Sequence, residues 1–404
     1  MSSFGSMWAD LEPVGRHPST GGYRRFAWTA ADATLREWFR GEAERRGLDV
    51  ETDRAGNLWA WSGNPDADGP GLVVGSHLDS VPDGGAFDGP LGVVSAFAAL
   101  DELRAGGFVP GRPLGIACFA DEEGARFGVA CAGSRVITGA LAPERALGLR
   151  DGDGVSMADA LRSAGREPEL IGPDPEALRR VGAFVELHVE QGRGLIDLDQ
   201  PVALGTDIWP HGRWRLTFPG EANHAGTTRL DDRRDAMIGL ASTILAARSA
   251  ATTQGCVATI GKTVITPGGV NAIPSAATGW LDARGADEAS LRRTVDEVTA
   301  AAADWSATVT EESWTATTRF DLDLLARLRR VLPAAPLLGT GAGHDAGILA
   351  GTGIPTGMIF VRNPTGISHS PAEHAERVDC LAGVDALTAA LTELVGPETA
   401  GERP

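Results

Sequence analysis

Hydrophobic positions along the chain follow two different patterns. In the first, short runs of aliphatic, β-branched or aromatic residues stand at 72–74, 114–119, 184–187 and 358–361, separated by glycine-rich turns. Runs this short without polar alternation predict strands buried on both faces of an α/β sheet. Ahead of them Leu35, Phe39 and Ala43 recur at helical spacing and predict a helix over 29–47. In the second pattern, residues 213–218 alternate, with Trp214, Leu216 and Phe218 on one face and Arg213, Arg215 and Thr217 on the other. A helix over 234–248, strands over 257–265 and 278–284, a helix carrying Leu291, Val295 and Val298, and a strand over 308–314 complete a β-α-β-β-α-β order. That order is the ferredoxin-like pattern. The expected fold is therefore α/β: a domain from residues 1–208 and 319–404 with a central mixed sheet flanked by helices, and a ferredoxin-like domain inserted over 209–318.

A length of 404 residues fits two domains better than one core. No apolar run reaches membrane-spanning length, and the N-terminal residues lack a basic segment followed by an apolar one, so a cytoplasmic location is expected. The net charge of −18 disfavours nucleic acid and anionic membranes as partners, and no basic stripe overrides it. An anionic small molecule is still allowed, because a few local cations set the field inside a cleft. Cys118, Cys131, Cys256 and Cys380 are scattered without a C-x-x-C pair, which reads as core thiols.

Ligand sites of α/β sheets lie beyond the carboxyl ends of the strands. After the first run come His77, Asp79 and, eleven residues beyond His77, Asp88 in a glycine-flanked loop. Imidazole and carboxylate suit a borderline-hard cation, and Asp79 is placed to orient the His77 ring through its second nitrogen. The second run leads to Asp121, Glu122 and Glu123, where adjacent carboxylates can divide metal binding from proton transfer. The third carries His188 between Glu186 and Glu190, and the fourth leads to His369. Taken singly, each is equally a satisfied loop or core residue. Together, His77, Asp88, Glu123, His188 and His369 fit two adjacent cations with Asp88 shared. Mixed N/O ligands suit manganese or zinc, and also cobalt or nickel.

These residues lie in GSHLDSVPDGGAFDG, DEEGARFG, ELHVEQG and MIFVRNPTGISHSPAE, accompanied by GEANHAGTT, PGGVNAIP and GAGHDA. The set resembles the carbamoylase and allantoate amidohydrolase branch of the M20 metallopeptidase superfamily over nearly the whole chain. His188 stands where peptidase relatives typically carry a carboxylate. The resemblance implies one metal on His77, Asp88 and His188, a second on Asp88, Glu123 and His369, Glu122 as general base and Asp79 as its catalytic neighbour. It further implies His224 as a donor to the tetrahedral oxyanion, Asn271 and Arg284 on the substrate carboxylate or amide, and Gln191 and His344 as polar contacts. Alternation over 278–284 also turns Asp282 and Arg284 away from the small domain's core, leaving Arg284 free for a cleft.

The activity implied is metal-dependent hydrolysis of a ureido C–N bond in a small carboxylated substrate. The IWPHGRWRLTF stretch and the Asn271/Arg284 pair favour allantoate, with N-carbamoyl-L-amino acids as the alternative. An M20 acylase or peptidase and a catalytically retired binding protein complete the alternatives. The inserted domain is implied to act as a hinged lid and homodimer contact. Arg362, where a small or cyclic residue is expected, is a departure that bears on the pocket rim. Two other patterns fail. Val155 and Arg162 stand where a calcium loop starting at Asp151 needs ligands, and His344 replaces the third glycine of a dinucleotide fingerprint.

Overall fold

The computed structural model describes residues 3–396, which form two compact units. The first comprises residues up to Thr206, Arg319–Leu338 and residues from Gly343 onward; the second comprises Asp207–Thr318 and Gly339–Ala342. Among the described residues no helix is long and apolar enough to cross a membrane.

The main sheet has nine strands, eight of them in the order Asp49–Thr52, Leu58–Ser62, Leu114–Phe119, Gly71–His77, Val181–Val189, Thr356–Val361, Val202–Ile208, Thr318–Arg319, with Leu337–Thr340 paired to Val202–Ile208. The four central strands, Leu114–Phe119, Gly71–His77, Val181–Val189 and Thr356–Val361, run parallel, and antiparallel partners flank them. The sheet is thus mixed. Three of the four are buried at every residue, in keeping with their largely apolar sequences. Helices Pro90–Ala105 and Arg377–Val395 contribute Phe97, Leu100, Leu387 and Leu391 to the same core as Val74, Ile116 and Val185. Burying each of these large side chains contributes roughly 1.5–3 kcal/mol. Parallel alignment has a direct consequence for chemistry, since all four central strands deliver their carboxyl ends to one edge.

Helix Ala30–Arg45 starts where Thr29 caps the Asp32 N–H, and it buries Leu35, Phe39 and Ala43.

The second unit holds a four-stranded antiparallel sheet in the order Thr308–Thr315, His211–Pro219, Ala276–Arg284, Val257–Thr266. Trp214, Leu216 and Phe218 are buried along one face and join Leu240, Leu281, Leu291, Val295 and Val298 in a separate core. Its helices are Ala236–Gln254 and Glu288–Ala303. The first of these starts later and runs further than the expected 234–248. Asp235 caps it by accepting the Met237 N–H, and nothing in Ser249-Ala250-Ala251-Thr252-Thr253 breaks it before Gly255, which adopts φ +67.

Candidate metal centre

The carboxyl ends of the central strands bring His77, Asp88 and His188 together, with one ligand atom from each lying within 4.8 Å of the others; Asp88, Glu123 and His369 meet the same condition. Asp88 belongs to both groups and divides its oxygens between them. Oδ1 lies 3.6 Å from His77 Nε2 and 3.1 Å from His188 Nε2, while Oδ2 lies 3.4 Å from His369 Nε2. His369 Nε2 is also 3.6 Å from Glu123 Oε2. Two ligands on one tetrahedral ion with bonds near 2 Å stand about 3.4 Å apart, so these spacings suit a cation in each group.

Imidazole orientation follows from the backbone. His77 Nδ1 faces the Asp79 carbonyl at 3.2 Å, and His188 Nδ1 faces the Val189 carbonyl at 2.9 Å. A carbonyl only accepts, so each Nδ1 carries a proton and Nε2 is the atom left to present a lone pair to a cation. Both Nε2 atoms are buried without a hydrogen-bond partner. Gly89 makes the approach possible: at its φ of +85 the chain passes so close to His77 that a Cβ would lie 2.5 Å from the ring. His369 itself sits at φ +55, a strained conformation for a residue with a Cβ.

Glu122 and Glu123 follow strand Leu114–Phe119 on a tight turn in which Asp121 adopts φ +54. The Asp79 carboxylate accepts both of their backbone N–H groups, at 3.1 and 3.0 Å. Glu122 Oε2 reaches within 3.7 Å of His77 Nε2, and its Oε1 accepts from the Cys131 thiol at 3.2 Å. Asp79 therefore does more than face His77, because it also fixes the turn that aims Glu122.

The electrostatics fit cations. Burial alone would raise the Asp88 carboxyl, yet His188, His369 and His77 hold it well below the usual range. Burial lifts Glu122 well above its ordinary value, and burial together with the Asp88 charge pushes Glu123 up to about 7. Burial works against a protonated His77, but the Glu122 charge and contacts with Asp79 and Asp88 raise it well above 6.5. Carboxylates this crowded call for divalent positive charge. The orphaned Nε2 atoms of His77 and His188 offer the ligands.

Several supporting residues escape sequence reasoning. Glu373, 5% exposed, accepts the backbone N–H groups of Phe87 and Asp88 with Oε1, each at 3.0 Å, and the Ser368 hydroxyl with Oε2 at 3.0 Å. It ties the Asp88 loop to the His369 loop. Its signal is a carboxylate four residues after His369, a spacing that reads as an ordinary loop. Glu186 is buried and accepts from Ser76 Oγ at 2.8 Å and Ala346 N at 3.1 Å, close enough to His188 and His344 to form a third His/Glu group.

Gln191 donates to Asp88 Oδ2 at 2.8 Å and to Ser368 Oγ at 3.2 Å, while its Oε1 is buried without a partner. His344 packs its ring 4.5 Å from that of His188, and burial keeps it well below its ordinary pKa, so it is neutral. In the second unit, exposed His224 accepts the Gly226 N–H at Nδ1 and lies on a short strand opposite Ala272, next to Asn271. Arg284 does point away from the core, but it is not free. Asp282, two residues earlier on the same face, holds Nε at 2.8 Å and Nη2 at 3.2 Å, and the Gly341 carbonyl takes Nη1 at 2.7 Å. Arg362 is likewise engaged: it forms a two-pronged pair with buried Asp379, at 2.9 Å on each prong, and reaches Asp199 at 3.0 Å.

The peptidase family M20/M25/M40 model matches residues 73–393. An N-carbamoyl-L-amino acid amidohydrolase of Geobacillus stearothermophilus is 37% identical over 396 residues, 94% of each chain. An allantoate amidohydrolase of Escherichia coli is 31% identical over 396 residues, 95% of each. A crystal structure of a hydantoinase/carbamoylase family amidase from Burkholderia vietnamiensis superposes with a TM-score of 0.85 at 30% identity, covering 98% of this chain and 97% of that one. With its His/Asp/Glu groups positioned for metal, the chain belongs to peptidase family M20/M25/M40, in the hydantoinase/carbamoylase branch, and is a metal-dependent amidohydrolase.

Proposed function

We propose that the chain hydrolyses the carbamoyl C–N bond of a small carboxylated ureide, allantoate foremost, releasing ammonia and carbon dioxide. The observation that carries this reading is the division of Asp88, with one oxygen toward His77 and His188 and the other toward His369. One ion would be held by His77, Asp88 and His188, the other by Asp88, Glu123 and His369. The ureido preference rests on His188 in ELHVEQG and on relatives that are carbamoyl-amino-acid and allantoate amidohydrolases.

Two divalent cations, when bound, supply Lewis acidity that acidifies water and polarises the ureido carbonyl. Glu122 removes the proton from the attacking water and returns it to the departing nitrogen. Asp79 keeps the Glu122 carboxylate on station through the two turn N–H groups. Gln191 restrains Asp88. In this reading the second unit is a ferredoxin-like lid. His224 stabilises the oxyanion, Asn271 hydrogen-bonds the substrate, and Arg284 exchanges Asp282 for the substrate carboxylate. The same unit is the homodimer contact: Val257–Thr266 is an edge strand, and Ile238 and Leu245 are 51% and 71% exposed.

A second reading, N-carbamoyl-L-amino acid hydrolysis, is favoured by the 37% identity to the Geobacillus enzyme. The test is a substrate panel run on metal-stripped protein reloaded with manganese or zinc. Ammonia release from allantoate at the highest kcat/KM supports the first reading, and preference for N-carbamoyl-L-amino acids supports the second. Turnover confined to N-acyl amino acids or dipeptides, or no turnover at all, rejects both.

A further inference from the structure

Helix Ala30–Arg45 and the loop at 163–166 border an open cavity of about 470 Å³, apart from the candidate metal centre. Arg36, Arg40 and Arg166 line it. Each gives one N–H to a neutral oxygen of a single segment: Arg36 to the Gly56 carbonyl at 2.6 Å, Arg40 to Thr52 Oγ1 at 2.7 Å and Arg166 to the Asp53 carbonyl at 2.8 Å. Among the described residues none of the three is ion-paired to a carboxylate, and a guanidinium carries five N–H donors, so most of theirs are uncommitted.

Two carboxylates share the wall, and among the described residues neither makes an ion pair with the three arginines, although the Asp32 and Glu37 charges act on Arg36 and Arg40 from a distance. Asp32 turns back to accept the Trp28 N–H at 2.9 Å, and Glu37 is exposed. The Asp53 carboxylate is spent on Gly56 N, Asn57 N, Asn57 Nδ2 and Trp59 Nε1. Arg36 and Arg40 stand four residues apart on one helix face, where like charges repel. Burial, reinforced by the Arg36 charge, holds both Arg40 and Arg166 below their ordinary pKa.

The cluster is built and not merely left over. Arg36 and Arg166 lie 5.2 and 5.7 Å from the Trp28 ring centroid, and Trp28 itself holds φ +61, a strained conformation. Gly56, at φ +95, lets the indole and Arg166 seat so closely that a Cβ there would lie 2.4 Å from the ring. In a chain of net charge −18, three guanidinia with no direct carboxylate ion pair around a cavity of metabolite size fit an oxyanion.

We propose that this cavity binds a phosphoryl group, either of a small phosphorylated metabolite or of free phosphate, between Arg36, Arg40 and Arg166. The test is calorimetric titration of the metal-loaded protein at low ionic strength with inorganic phosphate, glycerol 3-phosphate and citrate. An Asp88→Ala control silences anion binding at the metal centre. A saturable site for phosphate or its ester should survive in that control and weaken at least tenfold in Arg40→Gln/Arg166→Gln. Ala33→Glu, an exposed position on the same wall, should weaken it similarly without touching the arginine contacts. Tighter binding of the ester or of free phosphate identifies the source, and either result supports the assignment. Phosphate binding lost in Asp88→Ala, binding unchanged by both wall variants, or citrate bound as tightly as phosphate overturns it.

Discussion

Glu373 accepts the backbone N–H of Asp88 at 3.0 Å, although 285 residues separate the two in sequence. The same carboxylate holds Ser368 next to His369, so it aligns ligands of both proposed ions. Glu373→Ala should lower metal affinity about 10–100-fold, the range for loss of an outer-shell partner. Glu373→Gln, which keeps an acceptor for the N–H groups, should recover part of it. Titration of stripped protein with zinc and a competing chelator measures both. Equal affinity in all three proteins would show Glu373 to be structural only.

Gly89 stands at φ +85 with the His77 ring where its Cβ would be. Gly89→Ala therefore meets backbone strain and a clash together, and should cost roughly 1–3 kcal/mol from the backbone alone. The Tm should fall, and metal affinity should drop with it as His77 is displaced. A wild-type Tm with unchanged affinity would mean that the loop relaxes freely.

Arg362 is the partner of an almost fully buried carboxylate, Asp379. Arg362→Met leaves that charge unpaired, for an expected loss of about 3 kcal/mol. The guanidinium faces Asp379 and Asp199, so kcat/KM ratios across ureido substrates should stay the same. A changed substrate ranking with little loss in chemical-denaturation midpoint would place Arg362 at the pocket rim instead.

Burial raises the Asp53 carboxyl from 3.8 to about 6. Between those values the folded chain holds more protons at this group than the unfolded chain does. Its contribution to stability is therefore fully present below about pH 4, is lost as pH rises through 6 and stays lost above. Asp53→Asn removes this titration. Its stability penalty relative to wild type should be largest near pH 4 and shrink toward pH 7 in urea unfolding. A penalty that grows with pH would reverse the assignment.

What was legible in the sequence follows from how a parallel sheet is made. The apolar runs inside strands such as Leu114–Phe119 and Thr356–Val361 are unbroken by charge, so His77, Glu122 and His188 stand out where the runs end. Binary alternation exposed the face of His211–Pro219 for the same reason. Contacts set by long-range approach left no such trace. Glu373 acts on a loop 285 residues away through backbone N–H groups, which have no side-chain signature. The Cys131 thiol reads as a core residue until its contact with Glu122 is seen. Alternation put Asp282 and Arg284 on the same side without showing that the Asp282 charge captures the guanidinium there.

A single shared aspartate joining two ion sites is most directly tested by metal content per chain, measured by elemental analysis after reloading and desalting. Wild type should retain two divalent ions, His188→Ala and Glu123→Ala should each lose mainly one, and Asp88→Ala should lose both. An Asp88→Ala protein that still holds one tightly bound ion, or both, would contradict the shared bridge.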